Sequence, residues 1–417
     1  MSVAEKTEKK GSVLGGMLLI AGGCIGAGML GLPVLTGMAG FLPSLVMFCV
    51  ACFFMTVTSL LLVEVGQWFD KRTNFISMVT RMLGPLGRIA CWLLYLFLFY
   101  ALLVAYIAGS GNHVASFSGG AIPIWCGSLF FVILFGSIAY FGTRIVDLTN
   151  RFLMVLKISA FFFLLVLGMS YLEISKLEYT NVKYSFFSLP ILIISFGFQN
   201  MIPTLNAYLG GDTKRVKQSI LAGASFTLFI YFLWMVLALG VLPIGGEYGI
   251  LNSYLSGIDA AQALAENLHN PLIRTASTLM AFFAILTSFL VQTLTLVHFL
   301  SDGLNVQSGR RENVWVCLLT LIPPLVFAIL DPTVFYAALG FAGGICAVIL
   351  FGILPVMMVW RGRYSFEYHH TSPYEVFGKR GLLFSLFFIA LFIVFYQISQ
   401  MCGFDLFPKP TKVEFVQ

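Results

Sequence analysis

The sequence predicts an all-α polytopic membrane protein with about eleven transmembrane helices. Three observations carry that reading. Of 417 residues, 59% are hydrophobic and only 10% are charged, against about 25% in an ordinary soluble domain. The mean hydropathy is +0.94. Apolar runs long enough to cross a bilayer recur along the whole chain, whereas the sustained period-two alternation of a barrel is absent. So much apolar surface exceeds what one water-facing core could bury, which makes lipid part of the solvent. Disorder, a nucleic-acid partner and a water-soluble enzyme are set aside on the same ground.

A helix needs about 20 apolar residues to cross a core of about 30 Å. Taken in order, the expected spans are roughly 13–34, 41–66, 88–113, 123–142, 151–172, 186–210, 217–243, 272–301, 313–330, 333–360 and 381–402. The first follows a polar, lysine-bearing stretch and lacks a clear cleavage site, so it reads as an uncleaved helix. The longest connection, from about Ile244 to Pro271, carries AAQALAENL, expected to be a short amphipathic helix outside the membrane. No linker or charge block divides the chain, so 1–417 reads as one integral membrane domain. The eight cysteines fall almost all within apolar runs. Cys49 and Cys52 form a CVAC pair without further ligands nearby, so they read as small helix residues, and no metal or cofactor is expected.

Basic residues set the orientation. With the N-terminus in the cytoplasm, 19 of the 24 Lys and Arg lie on the cytoplasmic side. Only Lys176, Lys183, Arg274, Lys409 and Lys412 lie outside. Eleven spans then leave the C-terminus outside, in a multi-pass protein of the cell's inner (cytoplasmic) membrane.

Two spans depart from the common Leu/Phe-rich pattern. The first reads GGMLLIAGGCIGAGMLGLP, and the sixth reads SLPILIISFGFQNMIPTLNAYLGG. Glycine and proline weaken a helix where its backbone must open, and opened backbone at membrane depth is tolerated only around a protein-lined or watery cavity. Close helix packing through small residues explains one such span, but two, five helices apart, point to a repeat. Spans 1–5 (about 13–172) and 6–10 (about 186–360) are expected as a 5+5 inverted repeat, with an extra helix at about 381–402. Discontinuous helices 1 and 6 then mark a midplane site. Freed amides at Gly26, Ala27, Gly28 and Met29 would favour a carboxylate, and freed carbonyls of helix 6 would accept from an ammonium. The candidate ligand is therefore an amino acid.

Several motifs resemble one family in order along the chain. IGAGMLGLP at 25–33 is similar to the first-helix signature of the bacterial aromatic amino acid permeases. ALLVAYIAGSG at 101–111, IVDLTNRFLMVLK at 145–157 and SFGFQNMIPTL at 195–205 resemble its tyrosine-specific branch. TSFLVQTLTLVHFLSDGL at 287–304 and LIPPLVFAILDPTVFYAALGFAG at 321–343 continue the match. The resemblance implies an eleven-helix inverted-repeat fold and proton-coupled uptake of aromatic amino acids. One departure stands out. Relatives often carry His and Gly where this chain has Gln199 and Asn200, and Gln199 cannot take up a proton near neutral pH.

Ionisable residues within spans are costly and are functional candidates by default. Lys157 lies about six residues into the expected span 5. Either it snorkels to the cytoplasmic surface, or its ammonium faces the helix 1 break, where it could load and release a proton. Thr287 and Ser288 of span 8 would face the same place, and their hydroxyls would also suit sodium, the less favoured coupling ion. Glu64 is expected to pair with a cytoplasmic arginine such as Arg81 or Arg88. Asp147 and Arg144 read as a gate or helix-end pair, and His298 as a polar helix-end residue. His369 and His370 have no convincing companion ligands.

Aromatic residues make up 15% of the chain, so their position is more informative than their number. Phe196 and Phe198 flank Gly197 at the helix 6 break, Tyr100 and Tyr106 lie in span 3, and Phe335 begins span 10 beside Tyr336. A subset could stack on a substrate ring, at about 0.5–1.5 kcal/mol per good pair beyond area burial. Gln199 or Asn200 could bond a phenolic hydroxyl. The expected activity is inward transport of an aromatic amino acid, tyrosine first, by proton symport. A tryptophan or broader neutral amino acid carrier, sodium-coupled or not, is the nearest alternative. A membrane enzyme or channel lacks support: there is no DDxxD, HExxH or paired intramembrane aspartate, no repeated filter motif, and no GxxxxGK[ST] loop.

Overall fold

The computed structural model describes residues 11–69, 73–268, 270–306, 312–366 and 374–404. The described residues are mostly helical, with one isolated bridge among them, between Gly40 and Thr180. The first span is interrupted. α1 (Val13–Cys24) opens with the Ser12 hydroxyl accepting from the Gly15 amide, and α2 (Gly28–Gly37) continues after a bend of 61°. α3 spans Phe41–Gln67. α4 (Phe75–Phe117) is longer than its expected span, because a further helical segment joins it across a kink at Gly84, at a φ of 77° that favours glycine, and Pro85. α5 (Ile124–Tyr140) and α6 (Thr143–Gly168) follow, then the short α7 (Ile174–Leu177).

The sixth span is also interrupted. α8 (Leu189–Ser195) stops, Phe196–Phe198 leave the helical path, and a tight turn at Gln199–Met201 leads into α9 (Ile202–Tyr208). α10 (Thr213–Val241), α11 (Ile250–Ser256), α12 (Ala260–Asn267), α13 (Pro271–Leu304) and α14 (Val314–Leu330) come next. α15 (Phe335–Phe341) passes through a π-helical stretch, Ala342–Ile353, into α16 (Leu354–Tyr364), and α17 is Lys379–Met401.

Eight of these helical segments are long and apolar enough to cross a membrane, and the bent α1–α2 pair makes a ninth. α5 and α14, at 17 residues each, are apolar but shorter. α6 packs along α13, α1 against α10 and α4 against α5. The segment from α15 to α16 is mostly buried and so runs through the interior, whereas α17 is mostly uncovered and lies at the edge. Peripheral helices turn large apolar side chains outward, among them Ile133, Val166, Phe388 and Phe395, as lipid contact requires.

Four expectations change. α6 begins at Thr143, not near residue 151, because the charged turn carrying Asp147 and Arg151 is exposed helix. That puts Lys157 in mid-helix. Asp147 pairs with Arg151 at 2.9 Å rather than with Arg144, since four residues along a helix share a face. Glu64 pairs with neither Arg81 nor Arg88. The C-terminal end of α3 packs on α16, so Glu64 receives both arms of the Arg363 guanidinium, Nε at 2.7 Å and Nη2 at 2.6 Å, and the Val376 amide at 2.8 Å. Arg81 instead lies over the Phe69 ring. The helix in the long connection forms, as α12, but it does not lie free: Ala260, Ala261, Ala263, Leu264 and Ala265 are buried against α13 and α2. His298 sits half-exposed, 3.1 Å from Glu312. His369 and His370 lie outside the described residues.

Candidate functional site

The break in the first span exposes backbone that side chains from other helices have captured. Ile25 has left the helical path, so its carbonyl is free of the α1 ladder. The Lys157 ammonium donates to it at 2.6 Å and reaches Thr287 Oγ1 at 3.4 Å. Lys157 is 2% exposed, which removes the snorkelling reading. Ser288 Oγ accepts from the Ala27 amide at 3.0 Å. The amides of Gly26 and Met29 are taken by the carbonyls of Cys24 and Gly26. Of the four amides expected to be free, three are thus engaged within the protein, and the Gly28 amide at the start of α2 is the one left over.

Glycine is required here for close approach. A Cβ on Gly26 would lie 2.5 Å from Ser288 Oγ, and one on Gly28 would lie 3.1 Å from Ser195 Oγ. The Ser195 hydroxyl is buried without a partner among the described residues. The Ser195 hydroxyl therefore lies beside Gly28, where α2 begins and α8 ends.

The second break is held differently. Phe196 packs edge-on against Phe48 of α3 and Tyr231 of α10, with ring centroids 6.3 and 5.2 Å away. Phe198 is buried as well, and Gly197 turns the chain between them. Gln199 points at α3. Its Nε2 donates to the Met55 carbonyl at 3.0 Å and to Thr58 Oγ1 at 3.1 Å, both on α3, while its Oε1 is buried without a partner. Asn200 is exposed.

Two aromatic side chains of α10 join the breaks. The Tyr231 hydroxyl lies 2.7 Å from the Cys24 carbonyl and 2.9 Å from the Ser195 carbonyl, so one proton is shared between the last carbonyls of α1 and α8. One turn later Trp234 Nε1 donates to the Met29 carbonyl at 2.9 Å. Sequence reasoning missed Tyr231, Trp234 and Ser195. The signal was present: two hydrogen-bonding aromatics three residues apart share one face of an otherwise apolar helix.

The other aromatic candidates separate. Phe335 is fully buried between α2 and α4, in contact range of Gly31 and Gly109. Tyr106 lies beside Ser288 and Tyr231. Tyr100 does not join them: its hydroxyl donates to the Leu319 carbonyl of α14 at 2.8 Å, on the far side of α4. Among the described residues no three His, Cys, Asp or Glu side chains gather as a metal would need.

Comparisons agree with this architecture. The sequence pattern of the tryptophan/tyrosine permease family matches residues 9–397. The tyrosine-specific transport system 1 of Haemophilus influenzae is 32% identical, over 94% of this chain and 98% of its own length. The tryptophan-specific transport protein of the same organism is 30% identical, over 94% and 96%. Its tyrosine-specific transport system 2 is 31% identical, over 88% and 92%. These relatives are transport proteins rather than enzymes, they span nearly the whole chain, and the motifs that resembled them lie at the two breaks and on the helices that hold them. The chain is a multi-pass membrane protein and belongs to the tryptophan/tyrosine permease family.

Proposed function

We propose that this permease imports an aromatic amino acid, tyrosine first, by proton symport across the inner membrane. Eleven spans would place the N-terminus in the cytoplasm and the C-terminus outside. Helices 1–5 and 6–10 would form the inverted repeat. The α1–α2 pair with α3, and α8–α9 with α10, would rock against α4, α5, α13 and α14. The Gly28 amide and the positive end of α2 would receive the substrate carboxylate. Carbonyls near the end of α8 would receive its ammonium. Phe196, Phe198, Tyr106 and Phe335 are the candidate rings for its side chain.

The observation that carries the reading is the buried Lys157 ammonium on the Ile25 carbonyl. A cation is held at the opened backbone by the protein itself, beside Thr287 and Ser288. Loss of its proton would release that carbonyl and loosen the break, which ties proton release to movement of helix 1. A sodium ion would have to displace the ammonium from the same oxygens, so proton coupling is favoured. A tryptophan carrier is the second reading, favoured by the tryptophan-specific relative. Radiolabelled tyrosine uptake into proteoliposomes, with proton and sodium gradients imposed separately, tests both. Accumulation driven by outside acid without sodium is expected. Failure to take up any aromatic amino acid would refute the reading, and stronger uptake of tryptophan would favour the second.

A further inference from the structure

We propose that the cavity between the α2–α3 corner and the end of α10 is a binding site for one phospholipid with a phosphoethanolamine headgroup. The inference needs only that the chain spans a membrane, not the substrate or its coupling. Where α3 begins and α10 ends, a cavity of about 300 Å³ is lined by Gly37, Phe41, Leu239, Leu242, Ile244 and Ile250, together with Lys176 and Tyr179. Its volume is that of a small-molecule site. Its mostly apolar walls offer a water molecule few partners, so the space suits hydrocarbon. Phe41 also lines a narrower crevice between α3 and α10, with Leu45, Phe48, Leu228, Phe232 and Met235. Leu42 and Val46 of α3 and Phe229 of α10 are exposed on this flank, as lipid contact requires. An acyl chain seated in the cavity therefore has an apolar path onward between the two helices.

The charges beside the cavity are a pair, not a lone cation. Lys176 Nζ donates to Glu173 Oε1 at 3.0 Å and to the Val241 carbonyl at 2.8 Å. An ammonium has three donors, so one remains for a phosphate oxygen. The Lys176 side chain is 28% exposed and that of Glu173 60%, so a headgroup can reach both. Their segment is pinned on two sides. The Glu173 amide donates to the Gly240 carbonyl at 2.8 Å, and the Asn181 amide donates to the Ala39 carbonyl at 2.8 Å. The two charges thus stand where the spans end, at the level of lipid headgroups. A lysine alone would attract any anionic headgroup. A lysine beside a glutamate favours a headgroup bearing both signs, phosphate on Lys176 and ammonium on Glu173. A primary ammonium donates charge-assisted bonds to a carboxylate; a quaternary one has no N–H, and a glycerol headgroup has no cation. A free amino acid carries both charges too, but its short side chain would leave the α3–α10 crevice empty. Bound here, the lipid braces the Gly37 end of α2 against α10.

Native mass spectrometry tests this on the full chain, delipidated in detergent and titrated with phosphatidylethanolamine, phosphatidylcholine or phosphatidylglycerol of identical acyl chains. Wild type should retain its first phosphatidylethanolamine about tenfold more tightly than either other lipid. Glu173→Gln removes the partner of the primary ammonium, so phosphatidylethanolamine should fall to within about twofold of phosphatidylcholine. Ile244→Trp narrows the cavity and should weaken all three lipids alike. Equal retention of the three lipids by wild type, or tighter retention of phosphatidylglycerol, overturns the proposal. So does a preference that survives Glu173→Gln, or retention unchanged by Ile244→Trp. Displacement of the lipid by an excess of free tyrosine would give the cavity to the amino acid and overturns it as well. The wild-type lipid series stands even where a variant fails to fold. Because no transport is measured, a failed uptake assay and a failed lipid site remain separate results.

Discussion

The two interrupted spans solve the same backbone problem with different materials. At the α1–α2 break the freed groups are met by polar side chains: Lys157 on the Ile25 carbonyl and Ser288 on the Ala27 amide. At the α8–α9 break the chain is wrapped in rings, Phe196 against Phe48 and Tyr231, with Phe198 buried beyond. The first is bent by 61°. Bending separates donors from acceptors and so needs ionic or hydroxyl partners, because a buried unpaired polar group costs about 1–3 kcal/mol. A straighter interruption keeps most of its bonds and can be held by packing. On the proposed reading, one break would take the charged end of an amino acid and the other its ring.

That division can be broken residue by residue, from the largest effect down. Gly28→Leu would fill the space beside the Gly28 amide and Ser195, and is expected to reduce tyrosine binding by at least about 100-fold, measured by equilibrium binding to purified protein. Wild-type affinity would remove the polar break from the site. Lys157→Met should abolish accumulation driven by a pH gradient while leaving exchange of internal for external substrate measurable. An unchanged response to the gradient would return Lys157 to a packing role. Tyr231→Phe removes the proton shared by the Cys24 and Ser195 carbonyls and should cost about 1–3 kcal/mol of stability. Thermal unfolding in detergent reads this, and an unshifted midpoint would mean that the breaks are held without it. Tyr100→Phe should change affinity less than about twofold, since its hydroxyl is spent on α14 and a change this small lies within ordinary surface-like substitutions. A large loss would place Tyr100 back at the site.

Much of this was legible in the sequence, for reasons that differ by feature. Apolar runs located most of the helices, because the bilayer imposes length and composition together, but α4 and α6 start at Phe75 and Thr143, well before the expected 88 and 151. Gly26, Gly28 and Gly197 marked the breaks, where a Cβ would lie 2.5 Å from Ser288 Oγ, 3.1 Å from Ser195 Oγ and 3.0 Å from the Ile194 carbonyl, closer than ordinary contact. The start of α6 was hidden by Asp147 and Arg151, which look like a loop but form a solvated helical turn, and this disguised Lys157 as a residue near the membrane surface. The partner of Glu64 lies 299 residues away in Arg363, a pairing no local pattern encodes. Gln199 sits among site residues in sequence, yet the tight turn at Gln199–Met201 aims it at α3. The π-helical stretch in the α15–α16 span left no compositional trace. It lies where Gly343 meets the Pro190 carbonyl of α8, so tertiary contact there coincides with an altered helix register.

The division of labour between the breaks is tested most directly by competition binding. Radiolabelled tyrosine is bound to the purified protein and displaced by tryptophan, by phenylalanine or by tyramine, which keeps the ring and ammonium but lacks the carboxylate. Saturable tyrosine binding, displaced by the aromatic amino acids and not by tyramine, is the result expected if the Gly28 amide reads the carboxylate. Displacement by tyramine as readily as by tyrosine, or no binding of any aromatic amino acid, would contradict it.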